Sequence, residues 1–191
     1  LYTMSVLFLE YSKEFNCFSK FKRKLDFLTK KISISEIIFI SDPRGFIRKI
    51  SEDKQFRIRE VNSAEDAEYA IIFRDKRQDI GDFKLPENAK VKVVLLNLTL
   101  VVNKDRGDKF DVYIGRGTIW GNPYQIGVDG DRDEVIRKFK YDFDKEFLKP
   151  FDNIDKNASS LKGKVIACHC KPYACHGDII ADYINSLDDG E

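Results

Sequence analysis

Read from its amino end, the chain alternates short apolar runs with segments whose apolar residues recur every three or four positions. "MSVLFLEY" (4–11) is a compact apolar run of the length that a buried strand takes. Phe18, Phe21, Leu25, Leu28 and Ile32 follow at helical steps and place one apolar stripe on a helix. "EIIFIS" (36–41) is rich in β-branched residues and predicts a second strand, ended by the turn signal "DPRG". "FRIREVN" (56–62) alternates as a strand does. Ser63, three residues before Asp66 in "SAEDAEY", predicts the N-cap of a short helix. "AIIF" (70–73) and "VKVVLLN" (91–97) complete the apolar strands. Interleaving of this kind predicts an α/β fold whose mainly parallel sheet is covered by helices.

The pattern changes after residue 102. The polar segment "NKDRGDKFD" (103–111) reads as a link between two halves. "VYIGR" (112–116) predicts a strand, and "GTIWGNPYQIGVDGD" (117–131) a long turn-rich loop with four Gly and one Pro. Asp131 predicts a cap for a helix from about 132 to 149, with Ile136, Phe139, Phe143 and Phe147 as its buried stripe. "GKVIACHC" (163–170) reads as a strand, and "CHGDIIADYINSL" (175–187) opens a last helix. A small α/β module over 111–187 follows from this order.

Composition sharpens the picture without changing it. The 191 residues are 42% hydrophobic with fifteen Phe, enough to bury the core of one large domain or two small ones. A charged fraction of 34% at net charge +1 marks a folded chain rather than a disordered one. No run reaches the roughly 18 apolar residues of a bilayer span. Four cysteines, three of them clustered, argue against a disulfide scaffold and for a reducing compartment. The expected location is therefore cytoplasmic, and the host cytoplasm for a viral protein. Leu1–Thr3 precede Met4, the expected natural start.

Charge is unevenly spread. Through Arg106 there are 21 Lys/Arg against 16 Asp/Glu, and from Gly107 onward 12 against 16. The excess is densest in "KFKRKLDFLTKK" (20–31), where six of twelve residues are basic. On a helix such a run is either a solvated face or a contact for a phosphate backbone or an acidic host protein.

Two stretches carry candidate chemistry. In "VIACHCKPYACHGD" (165–178) fall three of the four cysteines and both histidines. On a strand Cys168 and Cys170 share a face and His169 points away. Cys175 and His176 fall in the first turn of the last helix, where unpaired N–H groups and the macrodipole favour an anionic sulfur. Three readings stand side by side. Cys168, Cys170, Cys175 and His176 suit zinc by type, although C-x-C-x4-C-H differs from the usual pairs of widely separated ligands. Alternatively Cys175 is a nucleophile or acid, with His176, His169 or Asp178 in support. Or the group packs a strand-to-helix corner and bonds to its amides.

The second stretch is "YIGRGTIWGNPY" (113–124). Its Gly residues allow a ligand to approach the backbone, and Arg116 offers a bidentate fork for phosphate or carboxylate. Trp120, the only tryptophan, and Tyr124 are flat faces for stacking a base. Asn122 either reads a polar edge or ties the loop to its own backbone. The stretch matches neither G-x4-G-K-[ST] nor a G-x-G-x-x-G that opens a helix.

Together Y-I-G-R, W-G-N-P, Arg132 at a helix start and C-x-C-K-P-x2-C-H-G resemble the family called domain of unknown function 4326, over about residues 111–187. That resemblance implies a compact α/β module with a shared site near Arg116, Asn122, Arg132, Cys168, Cys170, Cys175 and His176. It implies no settled activity; the family occurs in bacteria and viruses, phages included. His169 departs from the aromatic residue usual in the family. Residues 4–102 resemble a degenerate form of the Rossmann-like nucleotide-binding domains of the SLOG group. Where those carry a Gly-rich phosphate turn, this chain has "ISDPRGFIRK", with Gly45 alone left of it. The resemblance implies a first half that serves as scaffold or partner surface.

Two functions compete at this point. One is a phage-type or bacterial accessory protein with a pocket for a phosphate-bearing nucleotide or nucleic-acid base. There Arg116 and Arg132 hold phosphate, Trp120, Asn122 and Tyr124 hold the base, and Cys175, His176 and Asp178 act on the ligand. The other is a non-catalytic viral factor that grips a host protein or nucleic acid through helix 20–31, with the Cys/His corner structural or zinc-binding.

Overall fold

The computed structural model describes residues Ser5–Glu191. Met4, the first residue of the first predicted strand, and the Leu1–Thr3 stretch lie outside the described residues. The chain forms two compact units: one runs to Asn97 and takes in Asp188–Glu191, and the other is Leu98–Leu187.

In the first unit five strands, β1 (Ser5–Tyr11), β2 (Ile34–Phe39), β3 (Arg57–Glu60), β4 (Tyr69–Asp75) and β5 (Lys90–Leu96), lie in the order β3-β2-β1-β4-β5. All four pairings are parallel. This is the Rossmann-like α/β arrangement, with the order reversing between β1 and β4. Burial of β1 on both faces explains why its sequence is a continuous apolar run rather than an alternation. On one face, helices α1 (Phe18–Thr29) and α2 (Phe46–Lys54) bring Phe21 and Phe46 against Tyr11, Phe15 and Phe73. On the other, Phe8, Ile38, Ala70 and Ile72 pack against Ala64, Ala67 and Phe83, which sit in loops.

Here one expectation fails and one helix goes unpredicted. "SAEDAEY" forms a single turn, Ala67 N–H to Ala64 C=O at 3.1 Å, and not a helix. Its few residues are too short to repay helix nucleation, and β4 begins at Tyr69. Conversely, α2 hides behind "DPRG" because only Phe46, Ile47 and Ile50 of its nine residues are buried.

The second unit is built on a smaller parallel sheet. Its strands β6 (Leu100–Asn103), β7 (Val112–Tyr113) and β8 (Val165–Cys168) lie in the order β6-β8-β7. Helices α3 (Arg132–Asp144), α4 (Ile154–Leu161) and α5 (His176–Ser186) cover it. The core gathers Ile114, Trp120, Phe139, Phe143, Leu161, Ile166 and Ile180. The segment that starts at residue 103 is therefore not a plain link. Asn103 closes β6, whose pairing with β8 runs Leu100↔Val165 to Asn103↔Cys168. Asp131 caps α3 as expected, accepting from Glu134 N–H at 2.9 Å. The helix ends at Asp144, before Glu146 turns to positive φ, and Phe147 is 70% exposed. The buried stripe is Val135, Phe139 and Phe143, one face of a helix shorter than predicted. Among the described residues no helix is long and apolar enough to cross a membrane.

Candidate functional site

All three strands of the small sheet run the same way, so their carboxyl ends meet at one edge. That edge is where open parallel sheets receive ligands. Leaving it are Asn103–Asp105, Tyr113–Arg116 and Cys168–Cys170. Between them and the start of α3 lies a cavity of about 340 Å³. Its walls include Tyr113, Arg116, Asn122, Tyr124, Arg132 and Cys168, with His169, Cys170 and His176 beside them. No lining residue is acidic.

The loop after β7 is shaped by close backbone approach. A side chain at Gly121 would place its Cβ 2.7 Å from the Gly115 carbonyl oxygen and 2.9 Å from the Arg116 Cα, so only glycine fits. Trp120 is the loop's anchor: it is buried in the core of the unit and does not line the cavity. The expectation that it stacks a base is corrected by this burial, which leaves Tyr124 as the aromatic wall. Asn122 ties the loop down. Its Oδ1 accepts from Tyr124 N–H at 2.9 Å, and its Nδ2 donates to the Val135 carbonyl at 3.2 Å. Tyr124 donates its hydroxyl to Asp142 at 2.6 Å, which fixes the ring. Arg116 is exposed and reaches the Tyr124 carbonyl at 3.4 Å. Arg132, first residue of α3, lies over the Tyr173 ring at 5.3 Å, and its buried Nη1 has no hydrogen-bond partner.

The cysteine corner sits beside this wall. Cys168 ends β8, Cys170 lies in the following turn, and Cys175 is the N-cap of α5. Asn103 clamps the turn by donating to the carbonyls of His169 (3.3 Å) and Lys171 (2.6 Å). The sulfurs of Cys168, Cys170 and Cys175 all lie within 4.8 Å of one another. Cys168 and Cys175 share a hydrogen bond, which draws the Cys168 thiol down to about 5 and pushes Cys175 up. The physical cause is one proton held between two buried sulfurs. The first is lost easily and leaves a thiolate bonded to backbone N–H; the second would create two adjacent buried charges. The helix terminus was expected to make Cys175 the acidic thiol. Burial and the neighbouring sulfur outweigh that effect.

Three predicted site residues fall off the cavity wall. Cys175 is buried behind Cys168. Asp178 completes a capping box by accepting from Cys175 N–H at 3.1 Å, and it is ion-paired to Lys171. The third is Trp120, described above. His176 does line the cavity, but its Nε2 donates to the Ile114 carbonyl at 3.0 Å, leaving the lone pair on Nδ1 beside the Cys175 sulfur at 3.7 Å. Burial holds its pKa below the ordinary value, so the ring is neutral. It stands outside the three-sulfur group.

Sequence reasoning missed a second chain of contacts. Asp105 accepts from His169 Nδ1–H at 2.6 Å, and His169 Nε2 then accepts from the Tyr113 hydroxyl at 3.0 Å. Asp, imidazole and phenol thus stand in series, and two of the three line the cavity. The sequence offers His169 only as a partner for Cys175, and Asp105 falls in a segment that reads as a link. Only the pairing of β6 with β8 brings them together. Gly115 makes room: a Cβ there would lie 2.0 Å from the Tyr113 hydroxyl.

In the first unit the corresponding strand-to-helix end is filled from within. The Asp42 carboxylate, fully buried, accepts from Ile47 N–H and Arg48 N–H at 3.1 Å each, from Tyr11 O–H at 2.5 Å and from Arg48 Nη1 at 3.3 Å. It occupies the amide positions at the start of α2 where a phosphate would bind. Helix 20–31 is likewise satisfied internally. Lys20 pairs with Asp189, Arg23 with Asp188, and Lys22 with Asp26 and Asp53. Three of the six basic residues of the face expected to meet a partner are thus ion-paired inside their own unit.

Comparison with known proteins follows the same division. The minimal SLOG domain matches residues 4–102, and the domain of unknown function (DUF4326) matches residues 101–186. An uncharacterized 12.4 kDa protein in the nrdA-td intergenic region of Enterobacteria phage T4 is 45% identical over 91 residues. The match spans 47% of this chain and 81% of the phage protein. No solved structure matches.

Proposed function

The chain belongs to the minimal SLOG domain family through its first unit and to the domain of unknown function 4326 family through its second, and from that premise we propose that the second unit binds a phosphate-bearing nucleotide. One observation carries the reading: the cavity at the ends of β6, β7 and β8 has two guanidinium groups and no carboxylate on its walls. Arg116 and the unpartnered Nη1 of Arg132 supply charge-assisted donors for phosphate oxygens. Tyr124, Ile126, Val135 and Ile136 supply an apolar side for a base. The cavity, at about 340 Å³, lies in the range of small-molecule sites. In this reading Tyr113, held by His169 and Asp105, handles protons on the bound ligand. The likeness to a phage protein and the SLOG membership fit an accessory role on nucleotides in an infected cell. The competing reading, docking through helix 20–31, is weakened by the pairing of Lys20, Lys22 and Arg23 within their own unit.

The test is calorimetric titration of the full chain with nucleoside mono-, di- and triphosphates, free nucleosides, inorganic phosphate and short single strands. Binding of a nucleotide, weakened ten-fold or more in Arg116→Ala and Arg132→Ala, is the expected result. A preference for short strands over free nucleotides would place the phosphate in nucleic acid. Equal binding in wild type and both variants, or none to any compound, overturns the proposal.

A further inference from the structure

Three thiols meet where the cavity floor joins the last helix. Their spacing, C-x-C-x4-C, looks cramped on paper, but a strand end, a turn and a helix cap point the sulfurs inward. Tetrahedral zinc at about 2.3 Å from each sulfur sets sulfurs about 3.8 Å apart. Cys168, Cys170 and Cys175 lie within 4.8 Å of one another, so side-chain rotation alone can close the set.

Two further observations point to a cation. Cys168 Sγ accepts the Cys170 N–H at 3.4 Å, and Cys175 Sγ accepts the Gly177 N–H at 3.3 Å. In each case the donor is two residues on, the outer-layer support that an anionic sulfur ligand needs. Gly177 lets the helix approach the strands closely: a Cβ there would lie 2.8 Å from Ile114 Cδ1 and 3.0 Å from Val101 Cγ1, which would have to shift. The cationic side chain of the turn, Lys171, is ion-paired with Asp178 rather than placed to neutralise sulfur.

We propose that Cys168, Cys170 and Cys175 hold a zinc ion whose fourth position opens toward the cavity. Thiolate ligands select zinc among the common divalent ions of a cell that are not redox-active. Each thiol gives up its proton on binding, and the three thiolates leave the site with one net negative charge. The fourth position faces the cavity because Cys168 and Cys170 line it while Cys175 closes the far side. His176 is not among the three ligands, since it stands outside the group whose ligand atoms all lie within 4.8 Å of one another. A solvent molecule or a ligand oxygen takes the fourth position. Three protein ligands and one open position is the arrangement of catalytic rather than structural zinc.

This site does not rest on the nucleotide reading. The experiment uses the full chain, reduced with a non-thiol reductant, incubated with zinc and desalted, with metal measured by elemental analysis. One zinc per chain is expected, and cobalt in its place should give a sulfur-to-metal charge-transfer band in the near ultraviolet. Cys170→Ser and Cys168→Ser should each lower metal affinity at least ten-fold, while Cys17→Ser, in the first unit, should leave it unchanged. Near-ultraviolet circular dichroism checks folding; should Cys168→Ser fail to fold, the half-buried Cys170 variant carries the test. A folded, reduced chain that retains no zinc, or full metal content in Cys170→Ser, overturns the proposal. Zinc retained without nucleotide binding counts against the nucleotide reading and leaves this site standing.

Discussion

The described residues form two parallel sheets, and each presents the carboxyl ends of its strands to a place where an anion could bind. The first has closed that place with its own carboxylate. Asp42 satisfies two helix amides, a tyrosine hydroxyl and an arginine. The second has left its place open, with Arg116 and Arg132 on the wall, the Cys168 and Cys170 thiols beside them and Cys175 behind. The same geometry thus serves as a stability device in one unit and, in the function proposed above, as a binding site in the other. What decides between them is which side chain follows the strand: an acid that fills the helix end, or glycines and arginines that leave room for a guest.

Replacing Asp42 breaks the comparison most sharply. Asp42→Ala leaves a buried tyrosine hydroxyl and two amides without their acceptor, and should cost about 2–4 kcal/mol. Inorganic phosphate should then raise the melting temperature of the variant more than that of the wild type, by taking the vacated place. Thermal unfolding with and without phosphate checks both parts, and a variant as stable as wild type would show that Asp42 is no structural anion.

In the second unit the corresponding strain lies in the loop. Gly121→Ala forces a Cβ to 2.7 Å from a backbone carbonyl and should cost about 1–3 kcal/mol while closing the cavity. Denaturant unfolding monitored by Trp120 fluorescence reports on this unit, where the only tryptophan is buried. An unchanged midpoint would mean that the loop relaxes freely.

Arg132→Ala separates binding from folding. With no ion pair or hydrogen bond to lose at Nη1, stability should change by no more than ~0.5 kcal/mol, while nucleotide affinity falls ten- to a hundred-fold. The smallest effect belongs to helix α1. Reversing the charge of Lys24 and Lys31 should alter retention on a single-stranded nucleic acid column by less than about two-fold, because scattered surface charges contribute little. A large loss of retention would restore this helix as a contact surface.

The two units also differ in how much of them could be read from sequence. The Rossmann-like sheet was legible because its strands are buried on both faces and so appear as apolar runs such as "VLFL" and "AIIF". Helix α2 was not, since its three buried residues carry too short a stripe to stand out from a turn. In the second unit the motif residues Arg116, Asn122, Arg132, Cys168, Cys170 and His176 come to one cavity. The exceptions have physical reasons. Trp120 is large and apolar enough to serve as core, and burial took it from the surface. Cys175 and Asp178 were needed to cap a helix. Asp105, His169 and Tyr113 could not be joined from sequence, because His169 stands 64 residues from Asp105 and 56 from Tyr113, and a strand pairing must be known first.

The central claim is that the ligand site lies in the second unit and not at the helix end of the first. Isothermal titration of one nucleoside triphosphate against wild type, the Arg116→Ala/Arg132→Ala double variant and Asp42→Asn tests it most directly. The account predicts binding that disappears in the double variant and persists in Asp42→Asn. Binding that survives loss of both arginines and disappears in a folded Asp42→Asn would contradict it.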